Sequence, residues 1–568
     1  MLSPGETTEV VNRRITWPQL HLASAGGLWQ STMSVATGLL LLVSFPRFSL
    51  SLLAWVALTP LLYIVTSGIE LRRALWLGWL SGIFFTFFAE NWIAHSMTRY
   101  GGLMTAAAYS VALLFAAVLA IFPALFAVAM AQLTRSLGLW SLAAAPAVWV
   151  ATEWLRPLVT GVTWNALGVS QYEHYSVAML AQYGGVLLIS WELAAASALL
   201  VSILRARERP ARQTAALIVV FLLIPLLLPA PARLRAETDH LDRASTLGAP
   251  LTVVGVQPNI ELASANDLND FSRNVERVRV LTKEGIARAP GARADLLVWA
   301  ESPLALAYEN DPATRELVDA VAKEAGAYLV TNSITREEER YFNSVHVISP
   351  RLPESNSPPL RRYDKMRLVP FGEYVPWRPL LGRFVPAIVG DFTPGSEAVV
   401  NVLKIQEQRA GLAVSVTTEE PEYRIERETR LVRVGTFICY EAAYPNLVRQ
   451  FVNRGATLLV NVSDDAWFGD TAGADQHLAH AVMRAIENDR DLVRVTNSGV
   501  TALITAEGRV VDALERSTAA AGVWQAVPRG GRTFYTRQGD VFAIACVVLS
   551  ALVVGVSVIV SRPARHRR

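Results

Sequence analysis

Three polar residues of different kinds follow strand-like apolar runs in the second half of the chain. Glu301 ends DLLVWAE, Lys365 lies in RRYDKMRLVPFGEYVP, and Cys439 ends RVGTFIC before YEAAYP. A carboxylate, an ammonium and a thiol brought to one cleft have complementary chemistry. The carboxylate takes the thiol proton, the thiolate attacks an acyl carbon, and the ammonium stabilises both the thiolate and the oxyanion that forms. The lysine is informative by its rarity: only Lys283, Lys323, Lys365 and Lys404 stand among 52 basic residues, so the chain uses arginine wherever a generic cation serves. Each residue alone has a plainer reading: Lys365 as a solvated surface group, Cys439 as a small buried hydrophobe, Glu301 as a strand-end charge. Their conjunction, each inside an extended motif, carries the chemical reading.

Such a site needs a frame that brings strand ends together. After residue 250, short β-branched apolar runs alternate with helical periodicity, the pattern of a layered α/β domain. Strands are expected at 251 to 257, 294 to 301, 327 to 333, 343 to 349, 432 to 439 and 456 to 463, and helices at 268 to 288, 312 to 326 and 475 to 490. Several of the strands are apolar on both faces, as strands between two layers are. In this architecture side chains at strand ends meet in one crevice. Residues 398 to 430 read as a charged insertion, a solvated hairpin outside the core.

The rest of the chain is of another kind. Of 568 residues, 52 % are hydrophobic and 18 % charged, against about 25 % charged in ordinary soluble proteins. A bilayer core needs about 20 apolar helical residues. Seven segments approach that length, at 28 to 45, 49 to 66, 74 to 92, 104 to 132, 139 to 155, 175 to 204 and 214 to 230, and an eighth lies at 541 to 560. A cleaved signal peptide is the rival reading of the first; its late start and the lack of a small-residue cleavage site argue against it. With the N-terminus inside, the inner segments hold thirteen arginines and the short outer loops only Arg47, Arg99 and Arg156. That bias puts residues 231 to 540 outside and the RPARHRR tail in the cytoplasm. The expected order is a cytoplasmic segment 1 to 27, a seven-helix membrane domain 28 to 230, an outer catalytic domain 231 to 540, a last helix 541 to 560 and a basic tail 561 to 568. Glu192 falls inside the sixth segment, where either a functional role or a hydrogen-bonded packing contact accounts for it. A net charge of +3 excludes nucleic acid as a partner, and Cys439 and Cys546 are too few for a disulfide framework.

At WAES, YDKMRLVPFGEYVP, DFTPGSE, ICYEAAYP, NVSDDAWFG, QHLAHAVMRAIENDRDLVRVTNSGVTALI and TRQGD the chain resembles the nitrilase (carbon–nitrogen hydrolase) superfamily. More closely it resembles the membrane-embedded branch of that superfamily, the bacterial apolipoprotein N-acyltransferases. Matches reach the membrane part in FPRFSLSLLAWVALTPLL and TGVTWNALGVSQY. The resemblance implies an αββα sandwich beside a multi-pass helical membrane domain. It makes Glu301 the general base, Lys365 the oxyanion stabiliser and Cys439 the nucleophile. Glu373 matches a second glutamate beside the triad, and Tyr440 and Glu441 match residues flanking the nucleophile, with the Tyr440 N–H a second oxyanion donor. A structural salt bridge is the alternative for Glu373 and Glu441. The chain departs from the family pattern with Arg367 for His, Asp464 for Asn, and no tryptophan in QPNIELASANDLND.

The implied activity is transfer of a fatty acyl chain from a phospholipid, through a Cys439 thioester, to the N-terminal amine of a diacylglyceryl apolipoprotein. The enzyme is expected to be a monomer in the inner membrane, its catalytic domain on the periplasmic face. No cofactor or metal is expected, since the chain has no P-loop, no GxGxxG after a strand and no CxxC or HExxH. His477 and His480, three apart, read as packing or capping residues. Two alternatives stay open: a membrane-tethered amidase acting on small molecules, and a non-enzymatic lipid-binding protein on the same fold.

Overall fold

A computed structural model of the chain describes residues 26–227, 249–261, 268–301, 307–351, 359–375, 391–413 and 422–561. The N-terminal segment to residue 25, the connection 228–248, residues 262–267 of the loop after the first strand, the tip 414–421 of the charged insertion and the RPARHRR tail lie outside the described residues.

Residues 27 to 227 are built from helices, the longest being Gly27–Ser44, Leu71–Ala89, Thr105–Leu119, Ile121–Leu137, Ala145–Thr160, Val186–Leu204 and Arg209–Leu227. Among the described residues four stretches are long and apolar enough to cross a membrane: Gly27–Ser44, Thr105–Thr160, Val186–Leu204 and Val541–Val560. Their outward side chains are apolar, Leu114, Leu549, Leu552 and Val556 among them, a surface suited to lipid and unfavourable in water. The segment expected at 104 to 132 is two helices meeting at Ala120. Pro123 supplies the reason, since it lacks the N–H that would bond the carbonyl four residues back. The segment expected at 175 to 204 opens with the short turns Tyr175–Ala178 and Ala181–Gly184, and its long helix starts only at Val186. Between them Gly185 takes φ +67°, where a β-carbon would also strike the Tyr535 ring. Gly78 and Gly82, one turn apart, let Leu71–Ala89 lie against Ile121–Leu137. A β-carbon on either would fall within 3 Å of the backbone of Pro123, Ala124 or Ala120, the close approach that small residues allow between membrane helices.

Residues 251 to 526 form two six-stranded sheets. The first has the order β12 (Ala520–Ala526), β1 (Leu251–Gln257), β2 (Leu296–Trp299), β3 (Tyr328–Glu337), β4 (Arg340–Ile348), β5 (Tyr363–Asp364). The second runs β11 (Val510–Val511), β10 (Ala502–Ile504), β9 (Leu492–Thr496), β8 (Leu458–Ser463), β7 (Glu422–Ile438), β6 (Val400–Ala413). Three central strands of each are parallel, β1–β2–β3 and β7–β8–β9, and the flanking strands are antiparallel. Alternation along the strands sorts side chains by layer. Val253, Leu296, Val298 and Val330 join Val434, Val460 and Val495 in one core cluster. The opposite face of the first sheet, with Val254, Leu297, Trp299 and Leu329, packs on Val278, Leu281, Val318 and Val321 of the helices Leu268–Arg288 and Pro312–Ala325. Beyond the second sheet lie Pro445–Asn453, whose Phe451 meets Phe437 of β7, and Gly473–Asn488. The result is an αββα sandwich. The insertion is a hairpin, as its charge suggested, but its first strand is also the edge of the second sheet, with Leu403 and Ile405 in the core.

The two parts interlock through buried polar contacts. The Gln476 carboxamide accepts from the Trp164 indole N–H (2.8 Å) and the Asn165 amide (3.3 Å), and donates to the carbonyls of Pro46 (3.0 Å) and Ala89 (2.9 Å). The short helix Trp92–Arg99 and Tyr100 cover the loop after β8: the Ser96 hydroxyl donates to the Trp467 carbonyl, and the Tyr100 hydroxyl to that of Ala466.

Candidate active site

Both parallel strand sets deliver their chemistry at carboxyl ends. Glu301 stands two residues past β2, and Cys439 follows β7 directly. Lys365 follows β5; its N–H donates to the Asn343 carbonyl in β4, and its own carbonyl accepts from the Gly395 N–H, both at 2.8 Å. Cys439 opens a one-turn 3₁₀ helix, Cys439–Ala443, with φ +50°. That left-handed conformation is costly for a residue with a β-carbon and recurs where a strand turns sharply to present a side chain.

Glu301, Lys365 and Glu373 touch. The Lys365 ammonium is 3.3 Å from Glu301 Oε1 and 2.9 Å from Glu373 Oε1. The Asn343 amide donates to the same two oxygens, at 3.0 and 2.8 Å. The remaining oxygens are also held: Glu301 Oε2 accepts from the Asp464 N–H (3.0 Å) and Glu373 Oε2 from the Val369 N–H (2.8 Å). All these side chains are buried. Cys439 joins them electrostatically, feeling both Glu301 and Lys365.

Burial is the largest influence on Lys365 and on Cys439, and their partners decide the outcome. For Lys365 desolvation favours the neutral amine, but Glu301, Glu373 and Cys439 outweigh it and hold the ammonium well above its ordinary range. For Cys439 burial and then the Glu301 charge push the thiol well up, against the pull of Lys365 and a hydrogen bond with Ser463. Cys439 therefore rests as a thiol, and Glu301 is the carboxylate placed in its field to take the proton.

Glu441, fully buried, ties the Lys365 loop to the Cys439 turn. Its Oε1 accepts from the Tyr363 hydroxyl (2.7 Å) and the N–H groups of Met366 (2.7 Å) and Arg367 (3.0 Å), and its Oε2 from the Ile438 N–H (2.8 Å). Burial raises its carboxyl to about 7 against these donors. Glu373 forms an ion pair, with Lys365; the contacts of Glu441 are hydrogen bonds. The Tyr440 N–H lies in the first turn of the 3₁₀ helix, where no intrahelical acceptor exists. Its ring stacks on Trp164 of the membrane part, centroids 5.7 Å apart and 18° from parallel.

Sequence reasoning did not single out Asn343, Asp465 or Arg494, and it read His477 only as a packing or capping residue. His477 Nε2 lies 2.9 Å from the Cys439 carbonyl, and its Nδ1 is 2.9 Å from Asp465 Oδ1 and 3.0 Å from Arg494 Nη2. Arg494 also pairs with Asp465 at 2.7 Å. Burial, then Arg494, lower the imidazole pKa. In the neutral ring Nε2–H donates to Cys439 and Nδ1 accepts from Arg494. QHLAH, with a glutamine and two histidines on one helical face, was the available signal. His480 packs on the Trp164 ring, 4.8 Å between centroids. Among the described residues no group of three or more His, Cys, Asp or Glu is placed to hold a metal.

Residues 37–199 match the family model described as the apolipoprotein N-acyltransferase N-terminal domain, and residues 252–525 match that of the carbon-nitrogen hydrolases. A relative from Geobacter metallireducens named apolipoprotein N-acyltransferase is 32 % identical over 531 residues, covering 92 % of this chain and 94 % of that one. One of the same name from Azotobacter vinelandii is 33 % identical over 516 residues, covering 89 % and 90 %. Among solved structures, an amidase from Nesterenkonia sp. aligns with 52 % of this chain and 96 % of its own at 16 % identity and a TM-score of 0.34.

Proposed function

The chain belongs to the apolipoprotein N-acyltransferase family, and from that premise we propose that it carries a fatty acyl chain from a membrane phospholipid, through a thioester on Cys439, to the N-terminal amine of the diacylglyceryl cysteine of an apolipoprotein. The observation that carries this reading is the buried contact of Glu301, Lys365 and Glu373 beside a thiol strained into the left-handed region at a strand end.

In the first half-reaction Glu301 takes the Sγ proton as sulfur attacks the ester carbonyl. The tetrahedral oxyanion forms against the Lys365 ammonium and the Tyr440 N–H. The carbon–oxygen ester bond breaks, the departing lysophospholipid oxygen receives the proton from Glu301, and the acyl group stays on sulfur. In the second, the acceptor amine attacks the thioester carbonyl and loses a proton to Glu301. The carbon–sulfur bond then breaks, and Glu301 returns the proton to the thiolate. Both substrates are lipid-anchored, and a covalent intermediate lets them visit one site in turn. Glu373 and Asn343 hold Lys365 and Glu301 in register, and Glu441 fixes the two loops.

We place the enzyme in the inner membrane, the catalytic domain on the periplasmic face, on the strength of the arginine distribution. The test is the intermediate. Incubated with phospholipid alone, the wild type gains one fatty acyl mass that neutral hydroxylamine removes, and Cys439→Ala does not. A diacylglyceryl peptide with a free amine discharges the adduct into an amide. Transfer surviving in Cys439→Ala would remove the nucleophile and the thioester together.

A further inference from the structure

Arg367 is an exposed cation on the loop that carries Lys365, and the triad chemistry makes no use of it. Its position is fixed at both ends. The backbone N–H donates to Glu441 Oε1 at 3.0 Å, and the guanidinium lies over the Tyr444 ring, 5.5 Å from its centroid. Tyr444 in turn packs edge-on against Tyr440, the residue after the nucleophile, with centroids 5.3 Å apart. The Tyr444 hydroxyl donates to the Gly161 carbonyl at 2.8 Å. Gly161 ends the helix Ala145–Thr160, whose last turn exposes Leu158 (63 %) and Val159 (74 %). Exposed apolar side chains at the end of a membrane helix that touches the catalytic domain mark the level where acyl chains give way to headgroups.

Among the described residues no carboxylate pairs with the Arg367 guanidinium, whose side-chain contact is the Tyr444 ring. Elsewhere in this domain arginine is commonly neutralised: Arg362 by Glu309, Glu337 and Asp364, Arg454 by Glu397, Arg516 by Asp475. An arginine stacked on an aromatic ring, facing no carboxylate among the described residues, beside Cys439 and at headgroup level, suits a bidentate oxyanion.

We infer that Arg367 binds the phosphodiester of the acyl-donor lipid, setting the ester against Cys439 and selecting phosphate-bearing donors over neutral glycerides. The assignment rests on the proposed function. A phospholipid's phosphate is joined through its glycerol to the ester that is attacked, so one anchor at the phosphate restricts where the carbonyl falls.

The test compares two donors with the same acyl chains in mixed micelles, phosphatidylglycerol and diacylglycerol, in wild type, Arg367→Gln and Arg367→Lys, reading the rate of Cys439 adduct formation by intact mass. The expected result is a fall of about tenfold in the phosphatidylglycerol-to-diacylglycerol rate ratio in Arg367→Gln, the size of one lost charge-assisted contact, with Arg367→Lys between. Inorganic phosphate at millimolar concentration should slow wild type little, because the donor's phosphate is held together with its chains; strong competition by it would make this a free-anion site and overturn the lipid assignment. An unchanged ratio in Arg367→Gln would overturn it as well. Failure of wild type to form an adduct with either donor would instead overturn the proposed function, and this assignment with it.

Discussion

The imidazole of His477 reaches the carbonyl of Cys439, the proposed nucleophile, at 2.9 Å, from a helix whose preceding residue, Gln476, grips the membrane part. One helical turn thus holds the strained turn of the thiol and the seam between the two halves of the protein.

Removing that contact should slow chemistry without weakening substrate binding. His477→Ala leaves the Cys439 carbonyl unpaired in a buried site, a cost of about 1–3 kcal/mol, and frees the nucleophile to relax from φ +50°. The single-turnover acylation rate should fall at least tenfold, while the donor concentration for half-maximal rate stays put. His477→Gln, whose amide reaches the position of Nε2, should recover part of the rate. Equal loss in both variants, tracking thermal stability, would reduce His477 to a packing residue.

Lys365 is expected to tolerate neither of two replacements, for different reasons. Lys365→Met leaves Glu301 and Glu373 buried without their cation, a loss of about 3–5 kcal/mol, visible as a large drop in melting temperature. Lys365→Arg keeps the charge but brings a planar, larger group to a site built for an ammonium at 2.9 and 3.3 Å from two carboxylates. It should fold and show almost no acyl transfer. Near wild-type turnover in Lys365→Arg would deny the lysine its place at the oxyanion.

Much of this arrangement was legible because its residues sit in apolar, β-branched runs. LTVVGVQ is β1 to the residue, and the helix at 268 to 288 falls where its periodicity puts it. β9 was not legible, although it is central and fully buried, because Arg494 interrupts its apolar pattern. Only the fold supplies the Asp465 and His477 that pay for burying that charge. β5 and β11, two residues each, carry no period at all. Glu301, Lys365 and Cys439 could be singled out from their types and motifs, but Asn343 could not. It lies on an antiparallel strand with no unusual neighbour in sequence, and its role comes from donating to two carboxylates brought together across the sheet.

Orientation is testable with introduced thiols, since both native cysteines are buried. A cysteine at exposed Arg293, in the two-sheet domain, should react with a membrane-impermeant maleimide in spheroplasts, and one at exposed Arg207, before the helix Arg209–Leu227, only after lysis. Labelling of Arg293→Cys only after lysis would invert the topology.

Asp464 offers a pH signature. Its N–H holds Glu301, and its own carboxyl, accepting from Ala466 and Asn497, is pushed up to about 8, chiefly by burial and further by the Glu301 and Asp465 charges. An unfolded aspartate titrates near 4. Between about 4 and 8 the unfolded chain has released this proton while the folded protein keeps it. The folded state binds more protons there, so this residue's contribution to stability is full below about 4 and is lost as pH rises through 8. Above 8 an ionised Asp464 faces Glu301 and disfavours both the thiolate and the oxyanion. Asp464→Asn keeps the shape and the backbone donor without the charge. Its melting temperature should gain on wild type progressively from pH 5 to 9, and its acylation rate should persist to higher pH. The difference between the two proteins is the quantity to follow, because Glu441 and Glu487, each raised to about 7, titrate in the same window in both. A melting-temperature difference independent of pH would show that Asp464 is already ionised at pH 5, its charge neutralised by contacts other than those with Ala466 and Asn497.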